Sequence, residues 1–297
     1  MKIYDCFMFF DEEMLLDLRL NILDKYVDKF VISEATYKHN GKPKKLVFDI
    51  NKFQKFKDKI IYVVADNQNL GLTKINEKDS EELKISKRIT NSYTREVNQE
   101  NKIQDGILKA DSNDIIIMSD LDEIPNLEKV DLRSINKKLI FFKQKMFYYK
   151  FNLLYEGMVW YGSKACKKKH LITPHWLKWI KNKKYPWWRL DTFFSKKKYR
   201  DIHFVSEGGW HFTNIRKAED VQNKLLSFAH HYEFEQSGMG LNDIEKAIKD
   251  KIVMYDHNLD KRKNKYGEGA KLKTVSLAGL PNYIMNNTDK YKSWLDI

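Results

Sequence analysis

Apolar and polar positions come in blocks over the first 120 residues, and the blocks read in turn as strand and helix. Residues 3–10 are a near-continuous apolar run, the pattern of a strand buried on both faces. Asp11 then predicts a helix N-cap, with Glu12 and Glu13 in the first turn, where the helix dipole favours acids. Leu15, Leu18, Ile22 and Tyr26 follow at helical spacing. A second strand covers 30–33 and stops at Glu34, and a polar loop over 36–45 is marked by Gly41 and Pro43. A short helix over 51–59 leads to a third apolar run at 60–65. Residues 66–86 are polar and weakly patterned and read as a long loop or lid. A helix over 87–110 feeds a fourth run, Asp114-Ile115-Ile116-Ile117-Met118. This alternation predicts an α/β fold, Rossmann-like, with a mostly parallel sheet flanked by helices. Ligands of such sheets bind at the carboxyl ends of the strands, where Glu34 and the acids at 120–123 fall.

After Pro125 the pattern changes. Residues 139–151 are aromatic and partly alternating, which predicts antiparallel strands and a mixed, aromatic-rich second half. Residues 202–212 read as a strand interrupted by Gly208-Gly209, where the backbone comes close to something. Val221, Leu225, Phe228 and Tyr232 outline an amphipathic helix carrying His230 and His231, and another helix is expected over 243–255. With no repeat, linker or composition break, residues 1–297 read as a single domain.

Composition narrows this picture. The chain is long enough for a sizeable core, and 42% hydrophobic and 13% aromatic content exclude a disordered class. Two cysteines, Cys6 and Cys166, imply no disulfide framework and suit a reducing compartment. No stretch approaches the about 20 apolar residues that span a bilayer, and no signal-peptide pattern precedes the first strand, so a cytoplasmic protein is expected. The net charge is +13, and residues 151–205 hold 13 Lys/Arg against three acids together with five of the seven tryptophans. Those residues read as a solvated rim around aromatic core positions, or as a surface for something anionic, sugar-like or membranous.

The chemistry concentrates in Ser119-Asp120-Leu121-Asp122-Glu123-Ile124-Pro125. Three carboxylates within four positions repel one another and resist desolvation, so they call for a divalent cation or for water. Asp120 and Asp122, flanking one residue, suit Mn2+ or Mg2+ with phosphate oxygens completing the shell, and Glu123 is a third candidate ligand. An acidic loop capping the next helix is the plainer alternative. Gly208-Gly209-Trp210-His211 offers either a ligand approach with His211 as base or ligand, or a β-bulge with a core tryptophan. Glu34 with Lys42, Lys44 and Lys45 reads as a nucleotide and phosphate site or as a solvated loop. No glycine-rich dinucleotide or phosphate loop, nucleophile elbow or His-Glu-x-x-His occurs, which disfavours nicotinamide enzymes, P-loop NTPases, serine hydrolases and zincins.

Taken together these residues resemble the family 17 glycosyltransferases. The resemblance is carried by Tyr4-Asp5-Cys6-Phe7-Met8-Phe9-Phe10-Asp11-Glu12, Val27-Asp28-Lys29-Phe30-Val31-Ile32-Ser33-Glu34 and Gly41-Lys42-Pro43-Lys44. It continues in the acidic block, Gly208-Gly209-Trp210-His211-Phe212, Lys224-Leu225-Leu226-Ser227-Phe228-Ala229-His230 and Leu280-Pro281-Asn282-Tyr283. It implies a GT-A-type fold and metal-dependent, inverting transfer of a sugar, N-acetylglucosamine in known members, from a UDP-sugar. It also implies a nucleotide-sugar half over 1–125 and an acceptor half over 126–297. Asp120 and Asp122 would bridge the diphosphate through Mn2+ or Mg2+; Glu34, Lys44, Arg95, Asp120 and His230 would hold the donor. Glu207 and His211 are the candidates for the general base. The acceptor would be a glycan or glycoconjugate, anionic or membrane-associated, with the enzyme at most peripheral to a membrane and no nucleic acid expected. Three departures stand out: Glu100 occupies a position where the family often has arginine, a loss Arg95 would have to offset; His230 is followed by His231 and Tyr232-Glu233, one residue out of step with the family's His-x-Glu; and residues 165–200 belong to this chain alone. A non-catalytic binder of polyanions or glycans, using the 151–205 surface, and a metal-dependent phosphohydrolase, using the same carboxylates, are the competing readings.

Overall fold

In the computed structural model, residues 1–66, 70–183, 185–228, 231–255, 266 and 269–297 are described. The first apolar run forms β1 (Ile3–Phe9), followed by α1 (Glu13–Leu23), β2 (Lys29–Ala35), β3 (Ile60–Ala65), α2 (Glu81–Gly106) and β4 (Ile115–Ser119). These four strands lie in the order β3-β2-β1-β4, all parallel, with Cys6 opposite Val31 on one side and Met118 on the other. Odd residues of β1 and β4 (Ile3, Phe7, Ile115, Ile117) pack against the leucines of α1, and even ones (Tyr4, Cys6, Ile116, Met118) against Ile103 and Ile107 of α2. The period-two alternation of strand side chains thus feeds two helical layers, which is why these runs are apolar on both faces. Both cysteines are buried and free.

α2 begins earlier than its apolar pattern predicts. Ser80 accepts a hydrogen bond from the Leu83 N–H, and Glu81 and Glu82 fill the first turn, so local capping extends the helix into the expected loop. Thr73 is held along the helix by a reciprocal pair of hydrogen bonds with Asn91. At α1 the expected Asp11 cap is absent: Glu12 is the N-cap residue, without a side-chain cap bond, and both acids turn to Arg216.

The second half contains β5 (Glu123–Pro125), β6 (Leu139–Tyr148), β7 (Leu153–Trp160), β8 (Lys164–Lys167), α3 (Pro174–Trp179) and β9 (Ile202–Thr213). α4 (Ala218–Leu225), α5 (His231–Ser237), α6 (Leu241–Asp250), β10 (Lys273–Thr274) and α7 (Asn282–Met285) follow. Beyond β4 the sheet continues through β8, β6, β7 and β10 with antiparallel pairings, while β9 runs parallel to β6 and antiparallel to β5. The expectation of a mostly parallel sheet is therefore corrected: among the described residues the ten-stranded sheet is mixed, parallel in its first half and largely antiparallel beyond it. Past β4 only β6 and β7 are joined by a tight link, which suits an antiparallel pair, and the remaining neighbours meet across long stretches of chain that set no parallel crossover pattern. The single helix expected around Val221 and Tyr232 ends at Leu225, where Ser227 Oγ donates back to the Asn223 carbonyl at 2.6 Å, and α5 restarts at His231. Among the described residues no helix is long and apolar enough to cross a membrane.

Candidate active site

At the carboxyl ends of β1, β2 and β4 the chain leaves a cleft of about 440 Å3, and the acidic motif forms its floor. The motif's backbone is held from below by one residue, Arg19 of α1. Its Nε and Nη2 grip both carboxylate oxygens of Asp5 on β1 at 2.7 and 2.6 Å. Its Nη1 donates to the carbonyls of Asp120, Leu121 and Glu123 at 3.0, 3.2 and 2.8 Å. Arg19 and Asp5 are both fully buried, so this planar fork fixes the turn from which the carboxylates project.

The three carboxylates then part company. Asp122 is enclosed, with Lys224 Nζ of α4 at 3.2 Å and His211 Nε2 of β9 at 3.6 Å. Burial opposes its ionisation, but Lys224 and His211 outweigh burial and hold the carboxyl below its ordinary range. Asp120 keeps 39% of its side-chain surface open, yet that surface faces the cleft rather than bulk water. Burial there raises its carboxyl above the ordinary range; Lys178, at 2.7 Å, pulls it back while Glu123 and Asp122 push it further up. Glu123 also lines the cleft, but its oxygens are engaged. It accepts the Asp120 N–H at 2.7 Å and the Trp160 indole N–H at 2.5 Å, and so braces the turn. Gly162 leaves room for that brace, since a Cβ there would lie 2.1 Å from the Glu123 carboxyl carbon.

Lys178 comes from α3 and is held in turn by Glu100 of α2, fully buried and ion-paired to it at 2.7 Å. His175, one turn earlier on α3, hydrogen-bonds the other Glu100 oxygen through Nδ1 and Tyr93 through Nε2. Where the resemblance expects an arginine, this chain has Glu100, and the cation arrives from the chain's own 165–200 segment. Arg95 does not make up for it: its guanidinium lies against Gly41, donates to the His39 carbonyl at 3.3 Å and does not line the cleft.

The other sequence candidates divide. Lys44 lines the cleft and pairs with Glu34; Lys42 and Lys45 are exposed. Glu34 lies beneath the cleft wall rather than in it. Its oxygens take Lys44, the Val47 and Phe48 N–H groups and the Tyr62 hydroxyl, so its work is to tie the 36–48 loop to β2. His230 lies outside the described residues. His211 lines the cleft, tilted against Trp160. Glu207 does not: β9 carries two more residues than β6 between the pairs Phe142–Val205 and Gln144–Gly209, and this bulge leaves Ser206 and Glu207 in solvent. Gly209 has φ +126°, and a Cβ there would sit 2.1 Å from the Ile124 carbonyl oxygen on β5, while one at Gly208 would sit 2.6 Å from the Lys143 backbone nitrogen on β6, so the glycine pair serves close approaches to both strands. The bulge reading with a buried Trp210 therefore holds, and the strand beyond it delivers His211.

Lys178, Glu100, Lys224, Arg19 and Trp160 are site residues that the sequence reading passed over. Lys224 had a signal, since it shares a helical face with Val221, Leu225 and Phe228, and a lysine on an apolar face needs a buried acid. Arg19, set among Leu15, Leu16, Leu18 and Leu20, had the same one.

Hard oxygen donors at Asp120 and Asp122 suit Mg2+ or Mn2+, while each oxygen of Glu123 already accepts a hydrogen bond. Among the described residues no three His, Cys, Asp or Glu side chains converge on a metal position. A cation here would take its remaining ligands from phosphate oxygens and water, as Mg2+ ordinarily does.

Among solved structures the chain is similar to HddC from Yersinia pseudotuberculosis, both in complex with GMP-PN (12% identity, TM-score 0.34) and in a second structure (14%, 0.32). Each match covers 69% of this chain and 90% of the other, and a likeness that loose carries no weight for fold or function. No curated protein matches. The family model described as glycosyltransferase family 17 matches residues 1–296, so the chain belongs to that family and is a glycosyltransferase.

Proposed function

We propose that this glycosyltransferase is a GT-A-type, metal-dependent, inverting enzyme that moves a sugar, N-acetylglucosamine, from a UDP-sugar to a glycan acceptor in the cytoplasm. The observation that carries this reading is the pair Asp120 and Asp122 on the cleft floor, with their backbone locked by Arg19. In this reading residues 1–125 form the donor half and 126–297 the acceptor half. Asp120 and Asp122 would hold Mn2+ or Mg2+, which when bound would supply positive charge toward a departing diphosphate. Lys178 and Lys224 hold the two carboxylates apart, and Lys44 adds positive charge on the donor side. Glu123 is reassigned from ligand to brace, Glu34 and Arg95 from donor contacts to supports of the 36–48 loop. An inverting transfer also needs a group to take the acceptor proton. Of Glu207 and His211 only His211 lines the cleft, and the role is assigned to it.

The test is UDP binding by calorimetry with and without Mn2+, alongside transfer from UDP-N-acetylglucosamine. Asp122→Asn is expected to keep the circular dichroism spectrum while losing metal-enhanced UDP binding and transfer by about 100-fold or more. Wild-type transfer by that variant would overturn the metal assignment.

A further inference from the structure

Between α3 and β9 the chain makes an excursion that the glycosyl-transfer reading does not use. Residues 181–200 hold eight Lys/Arg against one acid, Asp191, and six aromatic residues. The loop is stapled at its base: the Lys181 N–H donates to the Lys197 carbonyl at 3.4 Å, and the Trp176 indole N–H to the Lys196 carbonyl at 2.6 Å. Asp191 takes both Arg189 and Lys198 at 2.7 Å, and the Arg200 guanidinium lies 4.1 Å over the Phe193 ring. These bonds pair the one acid with two of the cations at the surface, and the apolar side chains around it stay outside. Trp187, Trp188, Leu190, Phe193 and Phe194 each leave between 63% and 91% of their surface exposed.

We infer that this loop docks on a lipid bilayer bearing anionic headgroups. Apolar side chains held outward by an ordered backbone mark a surface that is covered in use. Trp, Phe and Leu enter the boundary between headgroups and acyl chains, while flanking Lys and Arg are drawn to anionic lipid, each contributing about 1 kcal/mol near the surface. A second copy of the chain fits poorly, because a two-fold contact through this loop would set eight cations against eight. Single-stranded nucleic acid would explain the rings and the charge but not the exposed Leu190, which has no face for a base to stack on.

The loop leaves the domain beside the cleft. It departs at Ile180, two positions after Lys178, whose ammonium holds Asp120. Lys164 Nζ on β8 donates to the carbonyls of both Lys178 and Ile180, fixing that end of α3 to the sheet. A docked loop therefore holds the cleft at the bilayer surface, which suits an acceptor sugar carried on a lipid. That last step rests on the glycosyl-transfer reading; the docking does not.

Co-sedimentation of the full chain with vesicles separates the two. Binding is expected to phosphatidylcholine vesicles containing phosphatidylglycerol and not to phosphatidylcholine alone, weakened but not abolished by salt. Trp187→Ser with Phe194→Ser should lower vesicle affinity by about tenfold or more, with an unchanged melting temperature and unchanged UDP binding. Lys196→Glu with Lys197→Glu should do the same at low salt only. No vesicle binding, equal binding to both vesicle types, or oligothymidylate binding without vesicle binding would each overturn the docking. Vesicle binding by a chain that transfers no sugar would uphold it and count against the transfer reading alone.

Discussion

Two regions of this molecule reverse the usual distribution of charge and apolar surface, and they do so in opposite senses. Around the acidic motif, charges are inside: Arg19, Asp5, Glu100 and Asp122 are all buried. In the 181–200 loop, apolar side chains are outside, with Phe194 91% exposed. The interior charges are matched almost donor for acceptor, which is the condition under which buried ions are tolerated. The exterior rings touch little besides one another and the Arg200 guanidinium, although the loop that carries them is stapled at its base. The contrast teaches that order alone does not distinguish a structural feature from a contact surface. What separates them is whether the ordered groups find their partners within the same molecule.

Breaking the interior side should have the largest effect. Arg19→Met strands Asp5 and frees three carbonyls of the motif, and should cost about 3–5 kcal/mol in urea unfolding. A loss under about 1 kcal/mol would mean that water replaces the guanidinium and that the interior is less closed than described. Next comes Gly162→Ala, whose Cβ would collide with the Glu123 carboxyl. It should cost about 1–3 kcal/mol by overpacking and lower transfer more than a mutation of the same stability cost elsewhere.

Glu100→Gln tests the interior by pH. Burial opposes ionisation of Glu100, but Lys178 and His175 outweigh burial and hold its carboxyl below the ordinary range. A depressed carboxyl adds stability that is complete above the unfolded value, about 4.3, and is lost as the pH falls through the lower folded value. The gap between wild type and Glu100→Gln should thus be flat at neutral pH, at about 1–2 kcal/mol, and close in acid. A gap that instead widens in acid would show that Lys178 and His175 are not what Glu100 serves. The smallest effect belongs to the exterior. Trp187→Ser with Phe194→Ser should shift stability by less than about 0.5 kcal/mol, read by thermal melting, and a larger loss would mean that the rings pack within the chain after all.

The sequence made the first half of the fold legible because each of its strands is an apolar run buried on both faces, and such runs need no partner to be recognised. Asp120 and Asp122 were legible for the same reason, as carboxylates placed directly after one of those runs. Lys178 was not, since its partners Glu100 and Asp120 lie on α2 and after β4, and no local spacing encodes a meeting of three separate elements. That Glu207 would stand in solvent was not legible, because the bulge that carries it out of the strand alternation depends on the register with β6. The antiparallel second half was visible only as a change in texture. Its strand order depends on pairings across long separations, such as Leu139 with Ile202.

One pairing sets when the site can exist at all. β5 carries the end of the acidic motif, and Glu123 and Pro125 pair with His211 and Gly209 of β9, while Asp122 accepts the Phe212 N–H. During synthesis Asp5 and Arg19 emerge before the motif and are ready for it, but β9 and Lys224 come long afterwards. Until they do, a nascent chain carries crowded carboxylates with half their counter-charge missing. Contacts this distant in sequence are made late and slowly. A ribosome stalled before Lys224 would hold a chain unable to complete its cleft, so competence arrives with the last third of translation rather than with the parallel strands.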